Sequence, residues 1–418
     1  MPSSLRSKDG LLARVNFPLY SLQMLTSRHV LVAGGGGSAK TGVANGFEVF
    51  EIAHDGSHFI AEEVLRHETG PNVVMNCAVH STENHTYLVS GQESHSQLYT
   101  VEMSVSECRK EKEPNENVTV KNRKKMETNA QQNKNNSCSK VLTFKIKPLD
   151  SIQTDFSKNE PLQKVVRISS KGQYMATGGT DGHIRLWKFP QLKKVFCISG
   201  HSNEVDDLDF NKKETQLVSL AKDGRAIIWN LSNGKKLREL SWNPPDGFKY
   251  MYKRCRFGAV EEDRDKSRLF VLTNPTSKPG KMSAYLQLWE PENGTLKKST
   301  AFSENVAALA VRDDGRFVAV GTMFTGSVDI FVAFSLQRVL HVKSAHNMFI
   351  TGLEFLPVTS DLISVTSNAE AAVISVSVDN RVCIHTLYHR RSIPTWLAII
   401  LIVITLFCTF VLCSIIGL

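Results

Sequence analysis

The residues of this 418-residue chain most able to do chemistry lie in one run, Gly34-Gly-Gly-Gly-Ser38-Ala39-Lys40-Thr41-Gly42, followed by Val43, Ala44, Asn45 and Gly46. Gly34 to Thr41 nearly matches the phosphate-loop pattern Gly-x-x-x-x-Gly-Lys-Ser/Thr, with Ala39 where the second glycine belongs. A phosphate loop needs a helix after it, so that its amides and dipole face the phosphate. Here Gly42 and Asn45-Gly46 lead instead into Phe47 to Ile52, which reads as a strand, as does Val30 to Ala33 before the loop. Four consecutive glycines cost backbone entropy on ordering, more than a hairpin requires. Two readings stay open beside the phosphate loop. One is a flexible hairpin turn; the other is an ordered loop that offers carbonyls to a cation and side chains to a partner.

His201, Ser219 and Asp223 are the residue types of a hydrolase triad, but a triad is defined by geometry and roles. The repeat they belong to gives another account: in WD repeats a histidine, a hydroxyl and a turn aspartate bond with the blade's tryptophan and brace it, which here implies His201, Ser219, Asp223 and Trp229. His54 with His58, and His80 with His85, fall in strand or loop sequence, and no zinc-type Cys/His pattern occurs. No residue is assigned to covalent or metal-hydrolytic catalysis.

A repeat positions these groups. Asp181 and Asp223 are 42 residues apart, as are Trp187 and Trp229, and Gly200-His201 sits between the copies. This is the WD pattern, in which each unit is a four-stranded propeller blade. Phe50, Tyr99, Trp187, Trp229, Trp289, Phe331 and His385 mark equivalent positions, which gives seven blades over residues 1–388. The last repeat lacks an outer strand, while residues 11–17 are spare and can supply it, removing the free edge of the ring. The Asn/Lys/Glu-rich tract 108–140 is expected to be a disordered insertion between the third and fourth strands of blade two. Stretches near 242–250 and 260–282, with Pro244-Pro245 and Pro275, read as loops.

The apolar and charged fractions, 41% and 22%, are those of a globular protein. The net charge of +9 is concentrated in the insertion, so no basic groove is expected. Trp396 to Ile416 carries no charge; at 1.5 Å per residue it reaches about 31 Å, one hydrocarbon core. His389-Arg390-Arg391 precede it, so the positive-inside rule puts the body in the cytosol and 417–418 at a short lumenal end. Cytosolic cysteines are then reduced.

The glycine loop in blade one, joined to a tail anchor, resembles the Sec-twelve family. So do Thr154-Asp-Phe156, Pro161-Leu-Gln-Lys-Val-Val166, Ala176-Thr-Gly-Gly-Thr-Asp-Gly182, Ala333-Phe-Ser-Leu-Gln337 and Arg390-Arg-Ser-Ile-Pro394. The resemblance covers nearly the whole chain. It implies an all-β, seven-bladed WD propeller followed by one C-terminal transmembrane helix. It implies a guanine-nucleotide exchange factor of the endoplasmic reticulum membrane that activates a Sar GTPase, begins COPII coat assembly and breaks no bond of its own. It implies that Gly34, Gly35, Gly36, Gly37, Ser38, Ala39, Lys40, Thr41, Gly42, Val43 and Asn45 contact the GTPase, and that a potassium ion binds the Gly34–Gly42 loop. COPII coat components follow as partners. A second role as a regulator at promoter DNA, in the nucleus, is also implied. A membrane-tethered WD scaffold without exchange activity is the alternative, and it predicts a dispensable glycine loop.

Overall fold

The computed structural model describes residues 10–38, 42–56, 58–108, 139–244, 247–261, 263, 266–276, 282–358, 369–388 and 395–416. Seven antiparallel four-stranded sheets follow one another along the chain. Blade 1 is built from Leu19–Met24, His29–Gly34, Gly46–His54 and Phe59–Glu68. Blades 2 to 6 occupy 74–153, 163–198, 205–239, 250–302 and 306–342. Blade 7 takes Ile350–Phe355, Ala369–Ser377 and Arg381–Tyr388, and its outer strand is Leu11–Arg14 from the other end of the chain. Leu11 pairs with Cys383 and Arg14 with Arg381, so the ring closes by hydrogen bonds and the last sheet has no open edge. Among the described residues the last strand of the ring ends at Tyr388.

The seven marker residues share one register. Phe50, Tyr99, Trp187, Trp229, Trp289, Phe331 and His385 face Val30, Leu88, Met175, Leu217, Leu269, Val318 and Val373 of their second strands. In blades 1 to 6 the pairing of third with fourth strand shifts just before the marker, as between Ile228 and Trp229. Such a bulge increases twist locally, which a blade needs to fan from axis to rim.

Each blade packs face to face on two neighbours, so apolar side chains gather in seven clusters, one at each interface between blades. Second strands are covered on both faces and therefore read as continuous apolar runs. In blade 1, Val30, Leu31 and Val32 have no exposed surface, and each such side chain contributes about 1.5–3 kcal/mol. Fourth strands form the rim and are mostly exposed, as in Lys193–Ile198.

The antiparallel order defines two faces. On the upper face lie the turns between second and third strands and the connections between blades. On the lower face lie the turns between first and second, and between third and fourth, strands. The third strand of blade 2 runs to Cys108 and the fourth begins at Ser139, so Cys108, Ser139 and Lys140 belong to a long hairpin rather than to the insertion. Ladder pairing carries that hairpin past the end of the blade. The rest of the expected insertion, 109–138, lies outside the described residues. The expected loop over 260–282 is also corrected: Ser267–Pro275 is the second strand of blade 5. Its apolar run Leu269 to Leu272 is fully buried, and Pro275 only ends it. Similarly, Tyr250 opens the first strand of that blade.

The C-terminal helix is Thr395–Ile416, 22 residues. Its side chains are described without a break only over 399–413, and all of these are exposed. Over the residues whose side chains are described, which in this helix means the unbroken stretch 399–413, no helix is long and apolar enough to cross a membrane.

Candidate functional site

The glycine loop joins the second and third strands of blade 1 on the upper face. It leaves the sheet at Gly34 and re-enters at Gly46, which pair with each other. Gly35 donates its N–H to the Pro18 carbonyl at 3.0 Å. A Cβ on Gly35 would lie 2.0 Å from Asn45 Oδ1, and its φ is +146°, so no other residue fits. Gly37 has φ +84° in open space: its backbone, not its surroundings, selects glycine.

Asn45 braces the loop. It is 5% exposed, and its side chain works in both directions. Asn45 Oδ1 accepts from Gly37 N–H at 2.9 Å, while Asn45 Nδ2 donates to the carbonyls of Gly37 at 3.1 Å and Gly70 at 3.0 Å. Its own carbonyl accepts from Thr69 N–H at 2.9 Å. The loop is thereby tied to the connection between blades 1 and 2. Val43 is half-buried and packs on the apolar cluster between blades 7 and 1. Ser38 and Gly42 are exposed, whereas Ala39, Lys40 and Thr41 lie outside the described residues.

The strand leaving the loop carries Glu48, 3% exposed, with Arg66 3.8 Å away. Burial, reinforced by Glu63 and opposed by Arg66, pushes its carboxyl up to about 7. His67 stacks on Phe47 and meets Tyr99 edge-on, and burial lowers its pKa. The loop itself offers neutral oxygens, namely main-chain carbonyls and the Asn45 amide. That donor set suits a monovalent cation better than a divalent one, which takes carboxylates. Among the described residues no group of three His, Cys, Asp or Glu side chains is placed to hold a metal.

The same face carries most of the large apolar side chains that stand free at the ends of the blades. Phe156, Phe248, Phe324, Met348 and Phe349 are 56%, 54%, 53%, 48% and 38% exposed. Phe156 is propped by the Arg185 guanidinium, 4.9 Å from its ring centre. Upper-face turns or connections carry all five, so they ring the same end of the propeller as the glycine loop.

His201, Ser219, Asp223 and Trp229 are brought together in blade 4. His201 Nδ1 is 3.0 Å from Asp223 Oδ2 and His201 Nε2 is 2.7 Å from Ser219 Oγ. Trp229 Nε1–H donates to Ser219 Oγ at 2.8 Å. The His201 side chain has no exposed surface, so no substrate reaches the serine. The group ties the upper-face turn to the blade interior. Sequence reasoning missed a second such group in blade 7. There His346 Nδ1 is 3.1 Å from Asp379 Oδ1, His346 Nε2 is 2.8 Å from Ser375 Oγ, and Ser375 Oγ is 2.8 Å from His385 Nε2. With Nδ1–H of His346 on the carboxylate, Ser375 donates to His346 and accepts from His385, which stands in for tryptophan. The signal was blurred because His346 lies 33 residues before Asp379, where His201 lies 22 before Asp223.

Along the axis, Asp207 accepts from Arg256 at 2.7 Å and from the Cys255 N–H at 3.0 Å, with Arg167 3.4 Å away. These charges line a cavity of about 130 Å³.

The WD domain, G-beta repeat family matches residues 160–188, the first three strands of blade 3, and 192–230, the outer strand of blade 3 with the first three of blade 4. The chain is 34% identical over 400 residues to "Guanine nucleotide-exchange factor SEC12" of Mus musculus, covering 94% of each chain. The protein of that name from Rattus norvegicus matches at the same identity and coverage. "SEC12-like protein 2" of Arabidopsis thaliana is 25% identical over 217 residues, 51% of each chain. Identity at this level over 94% of the chain shows that the chain belongs to the SEC12 family.

Proposed function

We propose that this chain is a guanine-nucleotide exchange factor for a Sar-type small GTPase, and that the glycine loop of blade 1 is the element that opens the nucleotide site. The observation that carries the reading is the brace by Asn45. Two hydrogen bonds to Gly37 and one to Gly70 tie the glycine-rich main chain at Gly37 to the connection between blades 1 and 2. An unbraced hairpin turn would have no use for that arrangement.

An exchange factor binds the nucleotide-free GTPase better than the nucleotide-bound form, and that difference is its whole activity. Asn45 sets the loop's shape before the partner arrives, so little ordering entropy is lost on contact. Val43 seats the loop on the interface between blades 7 and 1, leaving the exposed Ser38 and Gly42 to meet the GTPase. Main-chain carbonyls of the 34–42 turn would hold a potassium ion, whose charge stiffens the turn when bound. The upper-face aromatic side chains give the GTPase a broad apolar seat around the loop.

The helix Thr395–Ile416 would reach about 33 Å at 1.5 Å per residue and contains no Asp, Glu, Lys or Arg. We assign it as a single-pass anchor in the endoplasmic reticulum membrane, with Arg390-Arg391 keeping the ring in the cytosol. The activity then starts COPII coat assembly at that membrane. Nothing in the fold or the relatives' names speaks for the role at promoter DNA.

The test is release of fluorescent GDP from a Sar GTPase on adding residues 1–388, with an unrelated small GTPase as control. Acceleration confined to the Sar GTPase is expected. Tight binding without acceleration would favour the scaffold reading.

A further inference from the structure

We propose that the lower face of blades 3 and 4 is a docking surface for anionic phospholipid headgroups, which holds the ring flat on a membrane with the glycine loop pointing away from it. Lys171, Lys188, Lys193, Lys194, Lys212 and Lys235 are all exposed there, on or beside the turns between first and second, or third and fourth, strands. None has a carboxylate within salt-bridge distance among the described residues. The turns are locked side by side: Ser170 Oγ donates to the Lys212 carbonyl at 3.0 Å, and Gly234 packs on Phe196 of the neighbouring blade. The acid in this sector is Glu214, half-buried and accepting from the Lys171 N–H at 2.5 Å. Further lower-face acids stand on other blades: Asp55 in blade 1 and Glu83 in blade 2, and those of blades 5 and 6, where Arg312 pairs with Asp314 and Arg316 lies 3.3 Å from Glu261. Lys212 also faces Asp313. The charge is therefore a sector, not a general basicity.

Topology chooses the occupant. The last strand of the ring, Arg381–Tyr388, is a third strand and runs from upper to lower face, so the chain leaves toward its C-terminal helix from the same face as the lysines. Around that exit stand Phe334, Val358 and Tyr388, which are 65%, 57% and 57% exposed. Tyr388 is a side chain of the kind that settles at a membrane–water interface, and Phe334 and Val358 add apolar surface beside it. Lysines attract an anionic surface, and the effect falls off within a Debye length. A nucleic acid would account for the lysines but not for the apolar side chains or the exit. The choice of lipid rests on the anchor proposed above; the basic sector does not.

The experiment uses residues 1–388, which close into a ring without the helix, and vesicles of phosphatidylcholine with or without phosphatidylserine. The ring is expected to sediment with the anionic vesicles alone, to be released by salt, and to lose at least about tenfold in binding when K171E, K193E, K194E and K235E are combined. That variant should keep the melting temperature and the rate of GDP release in solution, so a failure here is separate from a failure of the exchange reading. Should it melt lower, K193E/K194E on an exposed turn must still give a smaller loss in the same direction. Equal sedimentation of variant and wild type overturns the proposal, as does a ring that ignores anionic vesicles. Displacement from vesicles by duplex DNA at equal charge would transfer the sector to nucleic acid.

Discussion

Blades 1 and 4 carry the same kind of turn in opposite ways. In blade 4 the turn Lys222–Arg225 is short, and Asp223 closes it inward: its carboxylate meets His201 and the N–H groups of Ser202 and Arg225. In blade 1 the corresponding segment is far longer, and its brace is a neutral amide, Asn45, holding main chain rather than side chain. Beneath the turns the strands have the same register, Phe50 opposite Val30 and Trp229 opposite Leu217. The scaffold is therefore indifferent to the turn it carries. Blade 4 uses its turn to hold the blade, and blade 1 uses the blade to hold its turn.

The sharpest way to break this contrast is a pair of substitutions. Asn45→Ala should reduce exchange about a hundredfold, on the order of 3 kcal/mol of transition-state stabilisation, with little change in melting temperature. Asp223→Ala should leave His201 buried without its carboxylate and cost about 2–3 kcal/mol of stability, measured by urea unfolding, with exchange unchanged at a temperature where the ring is folded. If both variants fail in the same assay, the two turns are not specialised as described.

An effect of similar size concerns the closure on which both blades depend. Removing residues 1–17 takes away Leu11–Arg14 and exposes the hydrogen-bonding edge of Arg381–Tyr388. Chemical denaturation should show a lower midpoint and a less cooperative transition, by about 2–4 kcal/mol, since Leu12, Val15 and Phe17 leave the core as well. An unchanged transition would mean that the edge is not needed.

The smallest expected effect is on pH. Burial, with Asp313 and Asp209 nearby and Arg167 opposing, raises Glu354 to about 8. Burial raises Asp209 to about 7, opposed first by Arg167. Both carboxyls bind a proton more tightly folded than unfolded. The ring is thus least penalised below about pH 4, and loses stability as pH rises toward 8, where the loss levels off. Glu354→Gln should flatten the decline in melting temperature between pH 5.5 and 8.5; an equal decline in both proteins would remove Glu354 as its source.

Most of the ring is written in local sequence. Marker residues at a fixed offset from a glycine-containing turn specify the register, and the spare Leu-Leu-Ala-Arg segment foretells the closing strand. What escaped the sequence depended on contacts between distant residues. Ser267–Pro275 was hidden by Pro275, which ends the strand rather than interrupting it. His346, Ser375 and His385 meet only because the fold brings His346 across a longer intervening segment. Asn45 is visible as a loop residue, but its reach to Gly70 across the blade connection is not. The glycines show that the main chain must turn tightly; they do not show what holds it.

Grafting tests the central claim most directly. In one chain, residues 35–45 are replaced by the short Lys-Asp-Gly-Arg turn of blade 4, and the rate of GDP release from a Sar GTPase is measured beside wild type at matched folded fraction. The account predicts a ring that unfolds as cooperatively as wild type and has lost its acceleration of release. A grafted ring that still accelerates release at the wild-type rate would contradict it.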